Sequence, residues 1–233
     1  MQAVILAAGL GKRIQSITNC IPKCLIEVNG KRIINYQLDT LNNLGIQDIV
    51  VVVGYLQEKI RTIIGNRVIY IENAIYGKSN SSYSLWLARN ILLGDFIYLN
   101  GDLLFHESIL KRLLDDPAEN VMATDHSKIE QEDDMFKARI EAGQIIELTK
   151  RMDPKKTSAV APGPVKFSKR GRNVLFSALE KIVHRGDKSQ WCYSIFSRIA
   201  AEIQLKSLDI SDLPWIEIDT VEDLERAKRM IFI

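Results

Sequence analysis

Two glycines and two cations follow a short apolar run near the N-terminus, and this combination is suited to binding a polyphosphate. The run at residues 3–8 predicts a buried strand because it is short and rich in β-branched side chains. Gly9 and Gly11 allow the backbone to bend and to approach a bound group closely. Lys12 and Arg13 add positive charge at the same point. Exposed backbone N–H groups and cations at the end of a buried strand predict a phosphate-binding loop.

This loop fits neither of two widespread nucleotide-binding motifs. Ile14 stands where the dinucleotide motif G-x-G-x-x-G requires its third glycine. The tripeptide Gly-Lys-Ser at residues 77–79 ends like a P-loop, but Glu72 occupies the leading glycine position. An oxidoreductase that binds a nicotinamide dinucleotide is therefore disfavoured.

Together with P-K-C-L at residues 22–25, the glycine loop resembles the signature of the nucleotidyltransferases that activate sugar phosphates and small phosphate esters. In that family the loop wraps an NTP, the arginine holds its phosphates, and the lysine after proline lies near the reacting phosphate. The resemblance therefore implies a GT-A-like α/β fold and catalytic roles for Arg13 and Lys23. Lys12 stands where the family often has Thr or Ser, so it remains open which cation holds the triphosphate.

Two aspartates are candidates for binding a metal ion. Asp102 follows a strand pattern and Gly101, at the strand end where open α/β sheets bind their ligands. Magnesium prefers one or two carboxylates plus phosphate oxygens, although a turn or helix-cap aspartate is the alternative. Asp219 ends the strand pattern W-I-E-I-D, and Thr220 with Asp223 already supplies a capping box. The resemblance implies that Asp102 and Asp219 share Mg²⁺ and that Asp102 is catalytic.

Two further segments resemble the cytidylyltransferases that act on phosphocholine and related phosphonates. Asn73, Asn80 and Ser84 match a pattern whose polar side chains meet the nucleoside, although Ser81 replaces its second asparagine. The segment W-I-E-I-D-T-V-E-D-L at residues 215–224 resembles the C-terminal signature of the same group. The nucleotide-binding set implied by the resemblance is Leu6, Ala7, Ala8, Gly9, Gly11, Lys12, Arg13, Lys23, Asn80, Ser84 and Gly101.

The resemblance implies transfer of CMP from CTP to a phosphocholine- or 2-aminoethylphosphonate-type substrate, with release of pyrophosphate. A small cationic head would require a carboxylate or an aromatic face, which Glu217 and Trp191 or Tyr193 offer. Lys150 is expected to meet the phosphate or phosphonate. The alternative for Trp191 and Tyr193 is that they pack as the apolar side of a helix. The alternative for Lys150 is that it is a solvated lysine with no ligand. A sugar-1-phosphate nucleotidyltransferase using UTP, GTP or dTTP, and a nucleotide sensor without turnover, remain open as functions.

Strand and helix patterns alternate through the first half of the chain, which predicts an α/β fold. We expect a Rossmann-like mixed, mostly parallel sheet with helices on both faces and a small β-hairpin and helical lid. Predicted strands lie at 49–53, 68–71, 96–99 and 121–124, and predicted helices at 33–44, 56–64, 81–92 and 109–114. Residues 136–149 predict a hairpin, and 153–164 a loop. We expect one domain over 1–233, with the lid at about 126–195.

Composition excludes several other classes of protein. The 233 residues carry a net charge of +2, which gives no strong attraction to nucleic acid or to an anionic membrane. No apolar stretch approaches the about 20 residues that span a bilayer, and three cysteines do not indicate a disulfide framework. The acidic residues Glu130, Glu132, Asp133 and Asp134 are expected to form a solvated loop, and attraction of a cationic substrate is the alternative. We expect a cytoplasmic protein, and either a monomer or a homodimer.

Overall fold

The computed structural model describes residues 1–11, 13–14, 21–129 and 134–232. The predictions made for Lys12 and for Glu130, Glu132 and Asp133 lie outside these residues. The described strands are β1 (Gln2–Ala7), β2 (Glu27–Val28), β3 (Lys31–Arg32), β4 (Asp48–Val53), β5 (Ile69–Glu72), β6 (Phe96–Asn100), β7 (Leu103–Phe105), β8 (Val121–Thr124), β9 (Lys137–Glu141), β10 (Gln144–Thr149), β11 (Ala159–Val160), β12 (Val165–Phe167), β13 (Lys206–Asp209) and β14 (Trp215–Glu217). The described helices are α1 (Ile33–Asn43), α2 (Gln57–Ile64), α3 (Ser81–Leu87), α4 (Glu107–Asp115), α5 (Lys169–His184), α6 (Cys192–Ile203) and α7 (Val221–Lys228).

One large sheet carries the fold, with β1 near its centre. Its strand order is β11-β9-β10-β13-β8-β12-β6-β1-β4-β5. Strands β5, β4, β1 and β6 are mutually parallel. Strand β12 is antiparallel to β6 and β8, and β8 pairs in parallel with β13. The predicted α/β class with a mixed sheet is confirmed.

Helices cover both faces of this sheet because its central strands are apolar on both sides. Ile5 and Val51 pack against one buried cluster, which includes residues of α1, α2 and α4. Val4 and Val50 pack against another, which includes residues of α3, α5 and α6. Successive side chains of a strand point to opposite faces, so continuous apolar runs are required here. Burial on both faces is the physical reason why these strands could be recognised from sequence.

The predicted hairpin forms and joins the sheet rather than standing apart from it. Strands β9 and β10 pair antiparallel, and β10 continues to β13. The expected loop at 153–164 contains β11, which pairs with β9 at the sheet edge. Two residues are too few for a recognisable period, so this strand could not be predicted. The helix expected over 81–92 is α-helical only to Leu87 and continues as a 3₁₀ turn, Ala88–Asn90.

Among the described residues, no helix combines the length and apolar character needed to cross a membrane.

A small second sheet, in which β7 pairs antiparallel with β14, connects the region after β6 to the C-terminal segment. This pairing places the turn that carries Asp102 beside the segment that carries Asp219.

Candidate active site

A cleft of about 910 Å³ opens where β1 and β6 end. The predicted site residues that line it are Leu6, Ala7, Ala8, Gly9, Gly11, Arg13, Lys23, Asn80, Ser84, Gly101, Asp102, Lys150, Trp191, Glu217 and Asp219. Lys12 lies outside the described residues. The structure therefore brings the described members of the predicted set to one concave surface, at the strand ends where open α/β sheets bind ligands.

Two glycines in the cleft stand where a side chain would not fit. Gly11 has φ +59°, and a Cβ there would lie 2.9 Å from the Lys23 side chain. A Cβ on Gly101 would lie 2.8 Å from the carbonyl oxygen of Leu6, which accepts a hydrogen bond from the Gly101 N–H at 2.9 Å. Gly11 lets the loop after β1 pack against Lys23, and Gly101 lets the turn after β6 pack against β1.

Lys23 joins two carboxylates from distant parts of the chain. Its Nζ lies 3.0 Å from Asp102 Oδ2 and also contacts Asp219 Oδ1. Burial by itself would lower the Lys23 pKa, but the charges of Asp102 and Asp219 and the hydrogen bonds to them raise it. The lysine is therefore held as an ammonium between two carboxylates at the floor of the cleft.

Arg13 lies at the rim of the same charged cluster. Its guanidinium bonds Asp134 Oδ2 at 2.6 Å and also contacts Asp219 Oδ2. Asp134 was expected to belong to a solvated loop. Its side chain is exposed, as expected, but it contacts a predicted phosphate-binding residue.

The position of Asp219 depends on two neighbouring features. Strand β14 pairs with β7, and the Ile218 N–H donates to the carbonyl of Asp102 at 3.0 Å. Beyond Asp219, the Thr220 and Asp223 side chains form the predicted capping box of α7. Asp223 Oδ2 also accepts from the Asp219 N–H at 3.0 Å. The capping box thus supports Asp219 rather than competing with its proposed role.

Glu217 lines the cleft beside this cluster. Burial raises the pKa of its carboxyl well above the usual value, and the charges of Asp102 and Asp219 raise it further. Lys23 and Lys150 oppose this effect with smaller contributions. A cation that approaches Glu217 would therefore favour ionisation of this carboxyl group.

Aromatic side chains form one wall of the cleft. Phe136 stacks on Tyr193 with ring centroids 4.8 Å apart. Phe136 and Trp191 form a T-shaped pair with ring centroids 6.5 Å apart. The Lys150 ammonium lies 5.0 Å from the centre of the Trp191 ring. Trp191 is 46% exposed, whereas Tyr193 is buried and bonds Asn100. Tyr193 therefore fits the alternative of a residue that packs in the core, whereas Trp191 keeps an exposed ring in the cleft.

The sequence analysis missed a buried glutamine that supports Asp102. Gln37 Nε2 donates to the carbonyls of Asn100 at 2.8 Å and Leu103 at 2.7 Å, on either side of Gly101 and Asp102. Gln37 lies on the apolar stripe of α1, and this polar residue among buried ones was the available signal. Its amide holds the turn that carries Asp102.

Within the described part of the chain, no group of three or more His, Cys, Asp or Glu side chains could hold a metal ion. The cluster instead offers the carboxylates of Asp102 and Asp219, which now share one ammonium. Mg²⁺ is usually bound by one or two carboxylates, and phosphate oxygens of the substrate complete its coordination. The carboxylates of Asp102 and Asp219 fit the protein's part of such a site.

Residues 3–191 match the MobA-like NTP transferase domain. The chain belongs to the MobA-like NTP transferase family. The glycine loop, Lys23 and Asp102 lie inside the matched region, and Glu217 and Asp219 lie beyond it. The predicted membership of a nucleotidyltransferase family is thereby confirmed.

Three curated relatives share long segments with this family member. The CMP-5'-(3-aminopropyl)phosphonate synthase of Streptomyces rubellomurinus is 29% identical over 97% of this chain and 38% of that protein. The choline-phosphate cytidylyltransferase of Streptococcus pneumoniae is 40% identical over 42% of this chain and 43% of that protein. The CTP:phosphoglutamine cytidylyltransferase of Campylobacter jejuni is 28% identical over 97% of this chain and 98% of that protein. The matched segments thus cover less than half of the first two relatives and nearly all of the third.

Solved structures share the fold over almost the whole chain. The inositol-1-phosphate CTP transferase from T. maritima superposes with a TM-score of 0.79 at 23% identity, covering 99% of this chain and 97% of that one. The CTP:phosphocholine cytidylyltransferase from Streptococcus pneumoniae gives 0.81 at 22% identity, covering 98% and 97%. At identities this low, the superpositions show that this chain shares the fold of these proteins and show nothing about its activity.

Proposed function

We propose that this MobA-like NTP transferase moves CMP from CTP to a small phosphate or phosphonate and releases pyrophosphate. The observation that carries the proposal is the Lys23 ammonium between Asp102 and Asp219, with the Lys23 side chain against Gly11 of the glycine loop. The similarity to the three relatives supports CTP as the nucleotide and a small phosphate or phosphonate as the acceptor.

The reaction would be a direct in-line displacement at the α-phosphorus of CTP. An oxygen of the acceptor's phosphate or phosphonate attacks, a P–O bond forms, and the bond to pyrophosphate breaks. Lys23 would hold the α-phosphate and the attacking oxygen close together, and Arg13 with Lys12 would bind the departing pyrophosphate. The acceptor is already an anionic nucleophile, so the residues supply positioning and charge neutralisation without a covalent intermediate.

Asp102 and Asp219 would hold Mg²⁺ in this scheme. When bound, Mg²⁺ neutralises charge on phosphate oxygens during the transfer. The Lys23 ammonium that these carboxylates now share would then be released toward the phosphates. Arg13 must likewise exchange its carboxylate contacts for phosphate oxygens, which accept the same geometry of hydrogen bonds.

The aromatic wall and Glu217 would bind the acceptor. Lys150 would meet its phosphate or phosphonate, and Trp191 offers an exposed aromatic face to a cationic head. A cationic head beside Glu217 would stabilise the ionised carboxylate and lower its pKa. The acceptor would therefore be of the phosphocholine or 2-aminoethylphosphonate type.

Pyrophosphate release distinguishes this proposal from its rivals. CTP, UTP, GTP and dTTP are each tested with phosphocholine, 2-aminoethylphosphonate and sugar 1-phosphates, with Mg²⁺ present. We expect turnover with CTP and an amino- or trimethylammonium-bearing acceptor. Turnover of a sugar 1-phosphate with UTP, GTP or dTTP would favour the sugar nucleotidyltransferase. Tight nucleotide binding without turnover of any pair would favour a sensor.

Two substitutions test the charged cluster. We expect Lys23→Ala and Asp102→Ala each to lower turnover by about 10²-fold or more, since each removes a group that stabilises transferred charge. Lys31→Ala is the control because its ammonium pairs with the surface carboxylate of Asp39 at 2.8 Å, and Lys31 does not line the cleft. Circular dichroism checks the fold of each variant. Full activity of either cluster variant would refute the assignment.

A further inference from the structure

Asn73 is a buried asparagine whose amide orientation the structure determines. The residue is 1% exposed, and its side-chain Oδ1 accepts from the Ile75 N–H at 3.1 Å. A backbone N–H can only donate, so this contact identifies the oxygen end of the amide. The opposite end must therefore be the NH₂ group, which can only donate.

The Asn73 NH₂ group donates to two serine hydroxyls. Nδ2 lies 3.0 Å from Ser79 Oγ and 2.9 Å from Ser84 Oγ. Ser79 passes its own proton to the Ile75 carbonyl at 3.0 Å, so both its roles are filled. Asn73 was expected to meet the nucleoside, but its polar atoms are occupied by these contacts. These bonds make both serine hydroxyls acceptors toward Asn73.

The Ser84 hydroxyl differs from that of Ser79 in one respect. Ser84 accepts from Asn73, and within the described part of the chain no acceptor for its proton is found. The residue is 5% exposed and lines the cleft. A buried hydroxyl proton without an acceptor is costly, so a ligand that offers an acceptor here is favoured.

We propose that Asn73 is a positioning residue that sets Ser84 as a hydrogen-bond donor to N3 of cytosine. Cytosine carries a lone pair at N3, whereas uracil carries an N–H there. Uracil would place one donor against another and leave the Ser84 proton unpaired. A site that requires a hydrogen bond discriminates strongly against an analogue that cannot make it. This inference rests on the proposed use of CTP and adds the reason for the choice of base.

The test compares CTP with UTP, both by kcat/KM for pyrophosphate release with 2-aminoethylphosphonate and by equilibrium dialysis of each nucleotide. We expect Ser84→Ala to lower the CTP value about tenfold while UTP changes little, so the CTP/UTP ratio falls about tenfold. Ser79→Ala is the matched control because it removes the other partner of the same amide. It is expected to change both nucleotides equally and to leave the ratio intact.

Asn73→Asp tests the positioning role directly. A carboxylate would accept the Ser84 proton and turn the hydroxyl's lone pair toward the base. The CTP/UTP ratio is then expected to fall at least as far as in Ser84→Ala, through improved use of UTP. Thermal unfolding checks that the buried carboxylate is tolerated, and Ser84→Ala carries the test if it is not.

The outcomes separate the inference from the function on which it rests. CTP turnover with an unchanged ratio in Ser84→Ala would overturn the inference alone. An equal fall of the ratio in Ser79→Ala would also overturn it, because the effect would then not depend on the free proton. A native protein that neither binds nor turns over CTP would overturn the inference together with the proposed function.

Discussion

Replacing Lys23 by methionine removes the ammonium shared by Asp102 and Asp219 while keeping a side chain of similar length and volume. The two carboxylates would then face each other, with Glu217 close by, and no longer have this cation between them. Lys23 is 17% exposed and Asp102 21%, so water can screen the remaining charges only in part. We therefore expect Lys23→Met to destabilise the metal-free protein as well as to abolish turnover.

The size of the effect follows from the geometry. At 3.0 Å and an effective dielectric constant of about 20, one such pair attracts by about 5–6 kcal/mol. Dehydration of the charges offsets part of this, and removing one partner of a largely buried pair costs about 3–5 kcal/mol. For a chain of this size the Tm is expected to fall by about 6–20 °C.

Magnesium should partly reverse this loss. In the variant the carboxylates lack the Lys23 ammonium, so Mg²⁺ does not have to displace it. At a concentration about 100-fold above its Kd, the ion would contribute about 2.7 kcal/mol to the free energy of unfolding. Thermal unfolding is followed by circular dichroism in EDTA, in MgCl₂, and in NaCl of equal ionic strength. Mg²⁺ is expected to raise the Tm of Lys23→Met by several degrees more than that of the native protein.

Lys228→Met is the control for loss of a lysine ion pair as such. Its Nζ lies 2.6 Å from Glu225, closer than Lys23 lies to Asp102, but the lysine is 43% exposed. Removal of an exposed pair costs about 0–1 kcal/mol. If Lys23→Met unfolds at the native temperature in EDTA, or if Mg²⁺ stabilises native and variant proteins equally, the reasoning about this cluster is wrong.

Three further perturbations have definite expected results. Gln37→Leu should lower kcat about 10²-fold, with a smaller effect on the KM for CTP, because the turn that carries Asp102 loses two hydrogen bonds; an unchanged kcat would contradict this. Gly101→Ala should cost about 1–3 kcal/mol in urea unfolding, because the new Cβ would lie 2.8 Å from a backbone oxygen; native stability would show that this contact relaxes. Burial raises the thiol pKa of Cys24 and of Cys192 to about 12, with the charge of Asp102 adding to the effect at Cys24. Above about pH 9 the thiols ionise in the unfolded chain but stay protonated in the folded protein. The free energy of unfolding is therefore unaffected by these thiols below pH 9 and falls by about 1.4 kcal/mol per thiol per pH unit above it. Urea unfolding at pH 8 and pH 10 measures the loss, and alanine variants of the two cysteines should lose less over this range.

Much of the fold follows from short-range patterns in the chain. Strand β4 was recognisable because its residues are β-branched and buried on both faces, and α1 because its apolar residues recur with helical spacing. The short strand β11 was missed, since two residues carry no period and gain their conformation from pairing with β9. The glycine loop was recognisable because its glycines, Arg13 and the Pro-Lys pair lie close together in sequence.

The architecture of the site required the tertiary structure. Lys23 contacts residues 79 and 196 positions away, and no local pattern specifies such contacts. Pairing of β7 with β14 places Asp219 beside Asp102. Packing of α1 against β7 brings Gln37 to the turn between β6 and β7, which carries Asp102. The direction in which Asn73 donates likewise became evident only from its neighbours. Residue types and local periods thus define which groups are available, whereas long-range pairing and packing decide which groups meet, because those contacts depend on the arrangement of the whole sheet.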